Sequence, residues 1–251
     1  MRSEWKKEVA RKFDRCAGEY DRHSAVQEEI AQKLAADLPD IETPAVLEIG
    51  CGTGALTRRL LERYPGGQFH ITDISVHMVE RARTRIAEQE NVRWGVMDGE
   101  NPAKNQRYDL IVSNMAFQWF QDPHGGFETL LSLLKPGGAI FYTVPAPESF
   151  PEWHKGLETF SLDSGLADFK SWPGVFRDEN IVRSYGTTFE FLRSLKKGGM
   201  NTTRIGYKML KRKDLLKACR YADENFHGQI TWRILYGRVQ GLPHSQLFST
   251  P

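Results

Sequence analysis

Residues Val46-Leu47-Glu48-Ile49-Gly50-Cys51-Gly52-Thr53-Gly54 constrain the fold more than any other stretch of the chain. An apolar run from Ala45 to Ile49 stops at glycines in alternate positions, 50, 52 and 54. Ala55 to Glu62 then carries apolar residues at 56, 60 and 61, the spacing of one helix face. The order predicts a strand, a tight glycine turn and a helix. A side chain in such a turn would keep a ligand off the backbone, and glycine adopts positive φ at little cost. The first turn of the helix presents unpaired N–H groups to whatever lies there. The stretch therefore predicts a cradle for a nucleotide-type ligand. Gly50, Gly52 and Ala55 also satisfy the dinucleotide pattern G-x-G-x-x-A, with Asp73 about 20 residues on.

The rest of the first 145 residues alternates strand and helix. Phe69 to Thr72 reads as a strand ending at Asp73, and Ser75 offers an N-cap for a helix over 76–89. Val92 to Met97 is a third strand ending at Asp98-Gly99, and Asp109 to Asn114 a fourth. A helix over Phe127–Leu134 stops at Lys135-Pro136-Gly137-Gly138, a turn that releases Ala139–Val144 as the fifth strand. Apolar strands in this alternation predict an α/β fold with a doubly wound, mostly parallel sheet. Upstream, residues 4–38 read as helical, with Val26, Ile30, Leu34 and Leu38 on one face. Phe13 to His23 forms a turn-bearing segment within that region. Beyond Pro145 the pattern predicts helices near 152–160, 178–184, 188–196 and 214–225, and a final strand over 230–239. Four regions follow: an arm (1–40), a core (41–145), a mostly helical insertion with the last strand (146–240) and a frayed tail (241–251).

Composition narrows the class. The net charge of +2 over 251 residues is too small to signal nucleic acid from the total alone. Three scattered cysteines (Cys16, Cys51, Cys219) form no C-x-x-C, which argues against disulfides or zinc and suits a cytoplasmic protein. The seven histidines show no paired ligand spacing, so no metal site is expected. No run approaches 18 apolar residues and the N-terminus lacks an apolar signal core, so neither secretion nor a membrane span is expected.

Ligands of open α/β sheets bind beyond the carboxyl ends of the strands. Here those ends carry Gly50–Gly54, Asp73, Asp98-Gly99 and Asn114. An acid after the second strand suits ribose hydroxyls, and one after the third can accept from an adenine amino group. Three acids in step, Glu48, Asp73 and Asp98, would repel the extra phosphate of NADP, though they do not exclude NAD. The fuller string Glu-x-Gly-x-Gly-x-Gly and the Lys-Pro-Gly-Gly turn resemble the Rossmann-like S-adenosylmethionine (SAM) methyltransferases. That resemblance implies a seven-stranded sheet, an N-terminal helical lid and SAM as cofactor. It implies a cofactor site of Glu48, Gly50, Cys51, Gly52, Gly54, Asp73, Ile74, Met78, Asp98, Gly99, Asn114, Met115 and Gln118. The segment around Phe13–His23 would lie over the cofactor; pattern alone allows an amphipathic helix capping the sheet edge equally well. The loop Asn114 to Phe120 would face the methyl donor, with most of its aromatic residues packing the core.

Three further stretches narrow the resemblance. They are F-x-R-x-A-x-x-Y-D-x-H-x-x-V-Q over Phe13–Gln27, N-x-x-x-Q-W over Asn114–Trp119, and Leu192 to Asn201, similar to R-x-L-K-x-x-G-A-x. Together they resemble the malonyl-acyl-carrier-protein O-methyltransferases of early biotin synthesis. The implied reaction methylates a free carboxylate, which is its own nucleophile and needs no general base. Tyr20, His23 and Trp119 would close over the donor and shape the acceptor side. Arg193, Lys196, Lys197, Arg204, Lys208, Lys211, Arg212 and Lys213 form a positive segment that could steer an acidic acyl-carrier protein, or could be a solvated face. No nucleic-acid or membrane partner is expected, and the protein is expected to be a monomer. Ser184–Phe191 is a poor match to the family's sixth strand, and Gly-Gly-Met at 198–200 departs from its Gly-Ala. A free small carboxylic acid as acceptor, or a SAM-binding module without turnover, are the competing readings.

Overall fold

A computed structural model describes residues 3–165, 171–201 and 207–241. The chain begins with α1 (Glu4–Cys16), a 3-10 turn (Tyr20–His23) and α2 (Ala25–Ala36). The core follows as β1 (Ala45–Ile49), α3 (Ala55–Arg63), β2 (Gln68–Asp73), α4 (Val76–Arg85), β3 (Val92–Val96) and β4 (Tyr108–Asn114). A second 3-10 turn (Phe117–Trp119) leads into α5 (Pro123–Leu131) and β5 (Leu134–Pro145). The remainder is α6 (Pro151–Thr159), β6 (Val175–Ser184), α7 (Thr188–Lys197), α8 (Arg212–Phe226) and β7 (Gln229–Gln240).

The strands form one seven-stranded sheet in the order β3-β2-β1-β4-β5-β7-β6. β1 to β5 are parallel to one another, whereas β7 runs antiparallel to both β5 and β6. Strand order reverses between β1 and β4, so a crevice opens there at the carboxyl ends.

Each central strand feeds two hydrophobic clusters by the period-two alternation of its side chains. Val46, Leu110, Val112, Ala139 and Phe141 pack on the side of α2 and α3. Leu47, Ile49, Ile111, Ile140 and Tyr142 pack on the side of α5, with Phe117, Phe120 and Phe127. Ile230, Trp232, Ile234 and Tyr236 of β7 all join the first cluster and are at most 3% exposed, as their spacing predicts.

Several boundaries differ from expectation. The helical region 4–38 is two helices divided by the 3-10 turn. Residues 178–184, read as a helix, belong to β6, the missing sixth strand. The insertion is therefore not purely helical, and Ser184–Phe191 is not that strand. Pairing with β7 from Ser184↔Gln229 to Val175↔Gly237 overrides the local preference of Asp-Glu-Asn. Charged residues on this edge strand find partners, with Arg177 on Asp37, Arg183 on Glu29 and Arg233 on Asp178. α5 starts earlier than expected because Asp122 caps Gly125 N and Pro123 occupies the first turn. Lys135-Pro136-Gly137-Gly138 is an excursion within β5, since Tyr108 pairs with Leu134 but Leu110 with Ala139. The tail from 242 onward lies outside the described residues.

Gly237 marks where the sheet tolerates no side chain. A Cβ there would lie 2.1 Å from Cζ of the buried Tyr142, whose hydroxyl donates to Pro173 O at 2.5 Å. Gly237→Ala is expected to destabilise the protein by about 1–3 kcal/mol through overpacking. A lowered urea midpoint with an unchanged m-value checks this.

Candidate active site

The glycine turn after β1 is built by the neighbouring strand. Gly50 N and Cys51 N both donate to Thr72 O, each at 2.9 Å. Gly50 has φ +75°, and a Cβ on it would meet Ala116 Cβ at 2.3 Å, so the turn and the loop after β4 nearly touch. That space exists only because residue 50 is glycine. Asp73 joins the parts: its Oδ2 accepts from Gly52 N and its Oδ1 from Ser75 N, both at 2.9 Å. Ser75 caps α4 as expected, accepting from Met78 N.

Around this frame lies a cavity at the carboxyl ends of the strands. Gly50, Gly52, Asp73, Ile74 and Met78 line one wall. Asp98, Gly99, Asn114 and Met115 line the next, at the ends of β3 and β4. Tyr20 and Trp119 close the side facing the arm. Two carboxylates for hydroxyl and amino donors, apolar walls and a bare turn fit the SAM skeleton. SAM supplies an activated methyl group; the chain's part is to hold and orient it.

Other expected residues sit outside the lining. Glu48 is buried behind the turn, where Thr57 Oγ1 donates to its Oε2 at 2.6 Å. Burial pushes its carboxyl up to about 8, with the Asp73 charge adding to the rise. Cys51 is buried beside it, and Gly54 precedes α3 at φ +91°. Gln118 folds back to donate to Met115 O at 2.8 Å. His23 packs toward Gly198 at the end of α7, where burial and then the Lys197 charge lower its pKa. Asn114 bridges arm and sheet, donating to Gln27 O at 3.0 Å and accepting from Thr143 Oγ1 at 2.8 Å. Met115 then takes φ +55°, a conformation costly for a non-glycine residue, and turns Phe117 into the core while Trp119 reaches the cavity. Burial of the Tyr20 hydroxyl, with Asp73 and Asp21 nearby, raises its pKa and keeps it a neutral donor.

Sequence reasoning began the covering segment at Phe13 and missed the contribution of the earlier turns of α1. Lys6, Val9 and Phe13 line the cavity, and Phe13 stands edge-on to Trp119 at 5.8 Å between ring centroids. The signal was Lys6-Val9-Ala10-Phe13, a lysine on the apolar stripe of an amphipathic helix. Arm and core are tied at each strand end. Ser75 Oγ donates to Asp14 at 2.6 Å, Thr53 Oγ1 and Arg85 donate to Asp21 at 2.6 and 2.5 Å, and Lys6 donates to Asp98 at 2.8 Å. The helical segment thus lies over the cavity and does not merely cap the sheet edge.

The switch-point cavity, the bare turn and the acids at successive strand ends define a Rossmann-like SAM-dependent methyltransferase, and a methyltransferase-domain profile matches residues 47–140. The chain is 34% identical over 249 residues to the malonyl-(acyl-carrier protein) O-methyltransferase of Magnetococcus marinus, covering 91% of this chain and 90% of that protein. It therefore belongs to the malonyl-(acyl-carrier protein) O-methyltransferase family. It is also 35% identical over 242 residues to the biotin biosynthesis bifunctional protein BioCD of Bordetella avium. That match covers 92% of this chain but 51%, about half, of the relative. The N-methyltransferase NodS of Bradyrhizobium japonicum, solved with S-adenosyl-L-homocysteine (SAH), aligns with a TM-score of 0.52 at 15% identity, over 93% of this chain and 98% of that one. At that identity the likeness shows the fold alone.

Two buried acids set the pH response. Burial raises Asp73 from 3.8 to about 6 against the pull of its N–H donors. With Asp73 as the expected acceptor for ribose hydroxyls, the accepting form is the carboxylate, so SAH affinity is expected to level off above about pH 7. It should fall roughly tenfold per unit below about pH 6. Isothermal titration at pH 5 to 8 checks this, and Asp73→Asn should bind weakly without that dependence. Glu48 has a folded-state pKa above its unfolded one, so between about pH 4.5 and 8 the folded state binds more protons and stability is lost as the pH rises. Stability should fall there by up to about 1.4 kcal/mol per pH unit, and Glu48→Gln should flatten that slope in urea titrations.

Proposed function

We propose that this chain transfers the methyl group of SAM to the free carboxylate of a malonyl group carried on an acyl-carrier protein. The observation that carries this reading is the acceptor side of the cavity. It is walled by Phe13, Tyr20 and Trp119, and Tyr20 is held protonated. A neutral phenol can donate a hydrogen bond to an acceptor oxygen but cannot take its proton at neutral pH. Such a wall suits an acceptor that arrives already ionised, as a malonyl carboxylate does. Phe13 and Trp119 exclude water from the in-line displacement, and Tyr20 and the Asn114 loop orient the two partners. The names of the relatives from Magnetococcus marinus and Ilyobacter polytropus point to the same acceptor.

Carrier docking is assigned to the basic face formed by the end of α7 and the approach to α8. Arg193, Lys196, Lys197, Lys208, Lys211, Arg212 and Lys213 are exposed, and among the described residues none of them forms an ion pair. Arg204 lies outside the described residues. Exposed cations of this kind raise the encounter rate with an acidic partner and lose that effect in salt. His23 packs against the same end of α7, so a carrier on this face would stand beside the arm.

The test is methyl transfer from labelled SAM to malonyl-acyl-carrier protein and to free malonate in parallel, at low and high salt. Label is expected on the carrier, with KM rising at high salt. Reversing Lys196, Lys197, Lys211, Arg212 and Lys213 to Glu should raise the carrier's KM at least about tenfold with little change in kcat. Label confined to free malonate would sink the carrier assignment and leave the cofactor site standing.

A further inference from the structure

We propose that Lys6, carried on the N-terminal arm, is a positioning residue for adenine recognition, holding Asp98 as an ionised acceptor at the end of the cofactor cavity. The inference rests on the placing of Asp98 at the adenine end and goes beyond it in making the arm part of nucleobase selection.

Lys6 is 4% exposed, and its ammonium meets two carboxylates, Asp98 at 2.8 Å and Glu100. It also stands 5.0 Å from the centroid of Phe120, a favourable distance for a cation over a ring. Burying a lysine costs several kcal/mol unless its partners are well placed, and a methionine would fill the same stripe of α1. Charge is therefore what the position uses. Glu100 is anchored independently, accepting from Gln121 N at 3.0 Å and Asp122 N at 2.7 Å. The charged groups beside Asp98 are Lys6 from α1 and Glu100 from its own loop, while His70 and Arg93 line the groove on its outer side. Two acids that share one buried cation lose that compensation when it is removed, which favours the protonated form of a carboxyl. Burial acts to raise Asp98; the Lys6 hydrogen bond and charge act most strongly against it, with smaller help from Glu100 N and Asn101, and its carboxyl stays below the usual range. Lys6 and Glu100 N both donate to Oδ1, and the Asn101 side chain also bonds the carboxylate; of its roughly four acceptor positions one is left for an amino donor.

An ionised Asp98 can only accept, so it favours an amino group and rejects a ring carbonyl. A protonated Asp98 can donate and loses that preference. The measurement is the dissociation constant of SAH against that of S-inosyl-L-homocysteine, which carries a carbonyl where adenine has its amino group. Wild type should prefer SAH at least about tenfold. In Lys6→Met and in Lys6→Gln the preference should shrink toward unity, and in Lys6→Arg it should persist. Weakened binding of both ligands with the preference intact would show that Lys6 only packs the arm, and would overturn the proposal. Equal binding of the two ligands by wild type would overturn it without any variant. Wild type that binds neither would overturn the cofactor reading with it.

Discussion

The Asp73 carboxylate, held between Gly52 N–H and Ser75 N–H, is the interaction on which the rest of the site depends. It fixes the glycine turn of one βα unit to the helix start of the next, on the β1–β2 side of the crevice where strand order reverses. Each hydrogen bond to a charged group contributes on the order of 1.5–3 kcal/mol, and here two of them set the same backbone. The arm builds on that frame, because Asp14 reaches Ser75 and Asp21 reaches Thr53 on the turn. The cost is a buried acid whose pKa is raised, with further lone pairs left on both of its oxygens.

The core was legible because parallel strands buried on both faces are written as apolar runs, and their polar ends stand out. Ala45–Ile49 and Asp73, Asp98 and Asn114 as strand ends follow from that rule. β6 was not legible, since an edge strand with Arg177, Asp178, Glu179 and Arg183 has few apolar positions and borrows its order from β7. α5 was expected from Phe127 but starts at Pro123 and takes in Gly125 and Gly126. In the structure Gly126 leaves room for Phe120, whose Cδ2 would lie 2.6 Å from a Cβ there.

The site was half readable. Residues supplied by strand ends could be placed by their position in the alternation alone. The arm's contribution could not, because Lys6–Asp98, Asp14–Ser75 and Asp21–Thr53 join residues far apart in sequence, and no local pattern encodes such pairs. Glu48 shows the opposite limit. Its presence in the strand was evident, but only the packing places it behind the turn on Thr57 and away from the cavity.

The position of β7 has a consequence for the order in which the molecule is completed. The strand at residues 229–240 inserts between β5 and β6, both of which are synthesised earlier. A nascent chain carrying β1 to β5 would already hold the turn and the acids of the site. Its β5 edge would stay unpaired, and β6 would have no neighbour, until β7 emerged from the ribosome. Open strand edges invite association with other chains, and pairings distant in sequence form late. The later part of translation is then the interval in which this protein is most exposed to misassembly.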